Sequence, residues 1–283
     1  MAGDRRAVLV TGASTGIGEA TALRLARGGF RVFAGVRQPE AGEALAEKSQ
    51  GAVEPLRLDV TDPELVEAAV AAVDAEVGER GLHGLVNNAG ISLGSPVEFA
   101  VEREVRDTFE VNLFGLMATT RAALPLIRRA RGRIVNMGSI SGRAPVPFMG
   151  TYAASKAAVW AVTEAMRGEL RPWGIEVALV EPGSIATPIW EKGLEAFDRR
   201  QAELPPEAGE LYGRVIPKLR SLTQSTAKRG ISPDEVAKRV EHALTARRPK
   251  TRYLVGTDAR AQALLRSLPD RARDALIARF IGA

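Results

Sequence analysis

Three residues in one short run carry side chains that could move a proton. The run from Arg133 to Ala158 reads RIVNMGSISGRAPVPFMGTYAASKAA and holds Ser139, Tyr152 and Lys156. Tyr152 and Lys156 are an i, i+4 pair among Ala153, Ala154, Ala157 and Ala158, which favour helix, so phenol and ammonium project from one helical face. A free tyrosine titrates near pH 10, too high to exchange protons usefully at neutrality, and a neighbouring cation favours the phenolate. Lowering that pKa by about three corresponds to ~4 kcal/mol and would make Tyr152 a general acid and base. Ser139 follows the apolar pair Ile134-Val135, where a strand's carboxyl end would let a hydroxyl donate to a substrate oxygen. Taken singly, a tyrosine is usually an ordinary core or surface aromatic and a lysine is usually solvated, so the weight must come from the elements around them.

Those elements alternate. Ala7–Val10 is a short apolar run, consistent with a buried parallel strand, and it leads into Thr11-Gly12-Ala13-Ser14-Thr15-Gly16-Ile17-Gly18 and then a helical stretch, Glu19–Arg27. Strand, glycine-rich turn and helix form the context a dinucleotide loop requires: glycines admit the pyrophosphate and the helix N-terminus supplies N–H groups. The spacing is Gly-x-x-x-Gly-x-Gly, and glycines also serve ordinary turns. A second strand, Arg31–Val36, ends in Arg37. A carboxylate there would accept from a ribose hydroxyl, whereas an arginine would pair with a ribose 2′-phosphate.

Val53–Leu58 reads as a third strand, closed by Asp59, and Thr61 to Glu64 has capping-box spacing for a helix ending near Val77. Leu82–Val86 is a fourth strand, followed by Asn87-Asn88-Ala89-Gly90. A long helical stretch, Val101–Arg129, has the polar Asn112 amid apolar neighbours, costly if buried without partners. The helix carrying Tyr152 runs to Leu170, before strand Ile175–Val180 and Glu181-Pro182-Gly183. This alternation predicts an α/β fold with a doubly wound parallel sheet. Residues 184–230 form an excursion rich in large apolar groups, and Ser232-Pro233-Asp234-Glu235 starts another helix before a last strand at Tyr253–Val255. A helical tail spans about 258–283. No repeat or linker is evident, so residues 1–283 are expected to form one domain.

Composition excludes several classes. The chain has 283 residues, 45% hydrophobic, and 39 basic against 34 acidic side chains give 39 − 34 = +5, dispersed rather than in blocks. That suits an anionic cofactor and argues against nucleic acid as the partner. There is no cysteine, and His83 and His242 stand alone, so no metal site is expected. The N-terminal apolar run is too short for a signal-peptide core, and no stretch approaches a membrane span, so a cytoplasmic protein with no integral membrane segment is expected.

The motifs, in their order, resemble the short-chain dehydrogenase/reductase family along nearly the whole chain. Thr11-Gly12 to Gly18 resembles its cofactor loop, Asn87-Asn88-Ala89-Gly90 the segment after its fourth strand, and Pro182-Gly183 with Thr187 the turn that holds the nicotinamide. Asn112, Ser139, Tyr152 and Lys156 resemble its catalytic four, with the usual separation between Ser139 and Tyr152. The resemblance implies a Rossmann-type fold and a set of roles. Gly12, Ser14, Thr15, Gly16, Ile17 and Gly18 would cradle the diphosphate and adenosine. Arg37, with Ser14 or Thr15, would bind a 2′-phosphate, making the cofactor NADP(H). Asp59 and Val60 would meet the adenine. Asn88, Ala89, Gly90, Pro182, Gly183, Ile185 and Thr187 would line the ribose and nicotinamide. Lys156 would grip that ribose and lower the pKa of Tyr152, and Asn112 would hold a water in a proton relay to Lys156.

Within the family, the Val36-Arg37 pair and the apolar excursion look most like the hydroxysteroid and retinol dehydrogenase branch. The leading expectation is an NADP(H)-dependent reductase of a lipophilic carbonyl, with a pocket walled by Leu93, Val97, Val146, Phe148, Met149, Ile189, Trp190 and Leu194. Arg143 is the one charged residue near this wall and can point to solvent. A carrier-bound 3-oxoacyl substrate, met by Arg143 and by Lys218–Arg220 and Lys228–Arg229, is the second reading, and a catalytically silent NADPH-binding scaffold the third. Leu116, Trp160 and Met166 are surplus to one core face and, with the family's habit of pairing these helices, predict a homodimer or homotetramer.

Overall fold

The computed structural model describes residues 6–203 and 205–281. Its centre is one sheet of β1 (Ala7–Thr11), β2 (Arg31–Val36), β3 (Val53–Arg57), β4 (Gly84–Asn87), β5 (Arg133–Met137), β6 (Glu176–Pro182) and β7 (Arg252–Val255). Every adjacent pair is parallel, and the order is β3-β2-β1-β4-β5-β6-β7. The inner strands are buried on both faces, which is why they read as unbroken apolar runs. The order reverses between β1 and β4. In such sheets the crevice outside the strands' carboxyl ends at that reversal is where ligands bind.

Helices cover both faces. α1 (Gly16–Arg27), α2 (Pro39–Lys48) and α3 (Pro63–Val77) belong to the first half. α4 (Glu102–Phe109), α5 (Gly115–Ala130) and α6 (Gly150–Leu170) follow, with a π-helical turn, Glu110–Phe114, between α4 and α5. The excursion folds as α7 (Ile189–Glu203), α8 (Pro206–Tyr212) and α9 (Ile216–Arg229), and the chain closes with α10 (Pro233–Thr245), α11 (Thr257–Leu265) and α12 (Asp270–Ile281). One apolar cluster joins Val8, Val10 and Val135 of the sheet to Leu25 of α1 and Val240 of α10. On the other face Leu9, Leu85 and Ile134 pack with Val73 of α3 and Ile127 of α5. No helix among the described residues is long and apolar enough to cross a membrane.

Several expectations need correction. The cap of α3 is Asp62, not Thr61: its carboxylate accepts from Glu64 N and Leu65 N, while the Thr61 hydroxyl donates to Asp59 at 2.7 Å. The stretch Val101–Arg129 is not one α-helix, because the π turn interrupts it at Asn112. Leu116 does not face outward, and Trp160 and Met166 are half-buried. Leu116 is 5% exposed and packs with Val159 and Leu179, and Trp160 and Met166 lean on the same cluster. The large apolar group left outside on α4 and the π turn is Phe114, beside Val105 and Phe109.

The excursion leaves and rejoins the fold through a narrow neck. Ala186 N donates to Ile231 O at 3.0 Å and Ile231 N to Ser184 O at 3.1 Å, a parallel bridge between Ile185 and Ile231. Gly230 is required there, since a Cβ on it would lie 2.5 Å from Ala186 N.

Candidate functional site

β1 delivers the glycine loop to the carboxyl edge of the sheet. Gly12 and Gly16 adopt φ of 63° and 62°, a region that L side chains rarely enter. A Cβ on Gly12 would meet Ala89 Cα at 2.8 Å, so the loop lies hard against the end of β4. One side chain fastens the two. The Thr11 hydroxyl accepts from Asn88 N and Ala89 N, both at 3.0 Å, and the Asn88 amide donates to Thr11 O and Gly12 O, also at 3.0 Å. Gly18 is obligatory because any Cβ would overlap Gly12 O and the Asn88 amide. The Asn88 side chain therefore shapes the loop. Thr11, inside the quoted motif, had gone unassigned.

The loop fits an anion. Thr15 caps α1 with extended backbone and no side-chain bond, leaving the first-turn N–H groups without a side-chain acceptor. Gly16 faces Thr187, whose methyl a Cβ would reach at 3.1 Å, so the glycine loop and the segment after β6 close on each other. Arg37 is exposed at the end of β2, and among the described residues no acidic side chain pairs with it. Asp59 accepts from Thr61 N and its hydroxyl. Val60 packs its side chain against Gly115 in the core. Ile185, likewise buried, serves the neck. These glycines and N–H groups fit the pyrophosphate of a dinucleotide.

Ser139 ends the extended segment after β5. Its oxygen accepts from Ser141 N at 3.1 Å, leaving its O–H to donate. It hydrogen-bonds the phenol of Tyr152. Burial pushes the Tyr152 pKa up and the Ser139 bond pulls it back. Lys156 is 5% exposed, and its amine donates to Met137 O at 2.9 Å. Burial lowers its pKa to about 8. The amine lies 5.9 Å from the centroid of the Tyr152 ring. Desolvation thus acts on both groups, raising the phenol and lowering the ammonium, and the Ser139 bond is what pulls the phenol back. The tyrosine stays protonated at neutral pH, while the lysine is poised near it.

Asn112 is buried and fully engaged. Its carbonyl oxygen accepts from Ile91 N at 2.8 Å, and its amide donates to Ile91 O at 3.0 Å and Ser155 Oγ at 2.9 Å. This answers how a polar residue survives mid-helix: it pins the loop after β4 to α6, and a Cβ on Gly90 would meet both Asn112 Oδ1 at 3.2 Å and Lys156 Nζ at 3.4 Å, so the two side chains flank one glycine.

The mouth is aromatic. Tyr212 of α8 stands edge-on to Phe99 and Phe148, with centroids at 5.9 and 5.6 Å, and its hydroxyl donates to Glu98. Phe148 adopts φ of 68°, and its carbonyl accepts from Ser95 N at 2.8 Å. Met149 touches the same loop at Gly94, and Leu93 is half-buried there. Val97 and Val146 are exposed, Ile189 is at the surface, and Leu194 is half-buried. The Trp190 indole donates to Ile185 O at 2.6 Å, so Trp190 braces the neck. Arg143 does not point to solvent. It donates to Glu181 at 2.8 Å and stacks on Trp160. Arg220 is likewise paired, with Asp198. Tyr212 was missed because helix content alone does not tell which face of an excursion turns inward, and Phe99 because it lies just beyond Val97 in the short turn before α4.

A parallel sheet with a glycine cradle at its reversal, and a serine, tyrosine and lysine gathered beside it, define a dinucleotide-linked oxidoreductase site. Residues 6–196 match the family described as short chain dehydrogenase. The chain is 38% identical to short-chain dehydrogenase/reductase family 9C member 7 of Bos taurus, over 97% of this chain and 89% of that one. It is 36% identical to retinol dehydrogenase 5 of Mus musculus, over 95% and 87%. Among solved structures, a short chain dehydrogenase from Burkholderia cenocepacia in complex with NADP superposes with a TM-score of 0.73 at 29% identity, over 99% of each chain. The chain belongs to the short-chain dehydrogenase/reductase family and is an oxidoreductase acting between alcohol and carbonyl.

Proposed function

We propose that this protein interconverts a lipophilic ketone or aldehyde and the corresponding alcohol with NADP(H). The observation that carries the reading is the convergence of Ser139, Tyr152 and Lys156 beside the glycine cradle. A nicotinamide dinucleotide, when bound, supplies or receives the hydride. The Ser139 hydroxyl donates to the carbonyl oxygen and stabilises the charge that develops on it. Tyr152, whose phenol burial keeps protonated, gives its proton to that oxygen, and in oxidation takes it back. Lys156, with a pKa of about 8, supplies positive charge beside the phenol and a donor to the cofactor ribose. Asn112 holds the Ile91 loop against the helix that carries them.

The preference for NADP(H) is supported by Arg37 and by Val36, a buried residue where a carboxylate would select the unphosphorylated ribose. Substrate size is supported by the rings of Phe99, Phe148 and Tyr212. Apolar area is worth about 25 cal/mol per Å², so such a wall favours steroid-, retinoid- or aryl-sized carbonyls. The basic groups that a carrier-bound substrate would need are not offered by Arg143 or Arg220, which are ion-paired.

The test is NADPH oxidation across ketones and aldehydes of graded size, with Tyr152→Phe beside the parent. Efficiency should rise with apolar area, and the variant should lose about 10³-fold in kcat while binding NADPH within a few-fold. Small polar or phosphorylated carbonyls as best substrates would sink the substrate reading. Retained turnover in the variant would sink the mechanism.

A further inference from the structure

Glu181 closes β6 immediately before Pro182-Gly183 and is 1% exposed. A carboxylate so deeply enclosed needs partners, and it has two. Oε1 accepts from Arg143 Nε at 2.8 Å, and Oε2 from Arg252 Nε of β7. The Arg143 guanidinium also lies over the Trp160 ring, 4.6 Å from its centroid. Arg143 ends the short turn that Ser139 opens, Ile140–Gly142. Trp160 is one helical turn beyond Lys156 on α6. One buried carboxylate therefore joins the Ser139 turn, the Pro182-Gly183 segment and β7, and through the stacked guanidinium reaches the helix of Tyr152 and Lys156.

The turn is seated closely enough for such a clamp to matter. A Cβ on Gly142 would lie 2.7 Å from the Lys156 backbone carbonyl carbon, and one on Gly138 would meet Glu181 Cγ at 3.4 Å. Buried ion pairs are weak sources of net stability, because desolvation offsets their attraction and an apolar replacement is often as stable. A carboxylate and two arginines kept behind the reacting groups thus call for an explanation other than stability.

We propose that Glu181 is a positioning residue: held by Arg143 and Arg252, it fixes the turn that aims the Ser139 hydroxyl at the Tyr152 phenol. This rests on the proposed reading of that site. The phenol is acted on by the Ser139 hydroxyl from the turn and by the Lys156 ammonium from its own helix.

The experiment uses Glu181→Gln in the full chain. The protein has 3 tyrosines, so subtracting the ultraviolet titration of a Tyr152→Phe background isolates Tyr152. Two effects oppose each other. Removing a negative charge beside two arginines would by itself lower the phenol's midpoint, whereas losing the Ser139 bond raises it. The expected result is a rise of ~0.5 pH or more, with kcat about tenfold lower, KM for the ketone little changed and NADPH binding intact. An unchanged or lowered midpoint, with only the melting temperature reduced, overturns the proposal and leaves the cluster a structural one. If Glu181→Gln does not fold, Arg143→Lys, which keeps the charge but not the stacked fork, is judged by the same two outcomes. The titration needs no turnover. A parent protein inert toward every carbonyl would defeat the proposed function while still reporting on Glu181.

Discussion

Burying an ammonium is unfavourable, and Lys156 sits 5% exposed with Met137 O as its hydrogen-bond acceptor. Its pKa falls from 10.5 to about 8, so the unfolded chain holds this proton more tightly than the native state does. The sign follows: the contribution is full above pH 10.5, fades as pH falls, and is gone below about 8. The difference is ~3 kcal/mol. Lys156→Met should flatten the rise in stability across that window and raise the melting temperature at pH 7 while abolishing activity, which calorimetry and an NADPH assay would show together. A lower melting temperature in the variant would mean that the Met137 bond outweighs the desolvation. Tyr152, Lys156 and Ser139 were legible in sequence because chemistry restricts the residue types and helical spacing fixes their geometry. Their protonation was not legible, because it depends on burial, which no spacing reveals. Glu181 was equally hidden: a carboxylate before Pro182-Gly183 looks like a strand end until Arg143 and Arg252 arrive from remote parts of the chain.

Among elements, β2 makes the sharpest statement. It delivers Val36 into the core, 3% exposed, and leaves Arg37 at the surface beside the glycine loop. NADPH should be preferred over NADH by about tenfold or more, worth ~1.4 kcal/mol, and Val36→Asp with Arg37→Ile should invert the ratio of kcat/KM values. Equal use of both cofactors by the parent would show that Arg37 meets no phosphate. The strands were readable to within a residue or two since the inner ones are buried runs ended by polar residues. α2 was overlooked between them: its mixture of glycine, alanine and charge gives no strong periodic signal, and it buries only Gly42 and Leu45. The π turn at Asn112 was invisible for another reason. An extra residue in a helical turn is selected by the Ile91 and Ser155 partners it aligns, not by local propensity.

At the scale of the whole molecule, one exposed aromatic side chain lies in a groove that it shares with apolar and charged neighbours, Glu102, Arg106 and Glu110 among them. Phe114 is 52% exposed and shares with Val105 and Phe109 a groove of about 320 Å³. We infer a two-fold pairing across this face, the commonest closed assembly. Phe114→Glu should convert dimer to monomer by light scattering at micromolar concentration, without loss of fold by circular dichroism; a parent already monomeric would refute it. Apolar count in the sequence cannot separate Leu116, which packs inward, from Phe114, which does not. The neck at Ile185 and Ile231 carries a wider consequence. The cost of bringing a loop's ends together grows only slowly with its length, and here two backbone hydrogen bonds already hold those ends. What lies between Trp190, which braces the neck, and Gly230 can be lengthened, shortened or exchanged with little disturbance to the sheet. The excursion is in that sense a cassette, and descendants of one scaffold could acquire new substrates by replacing it while inheriting the chemistry unchanged.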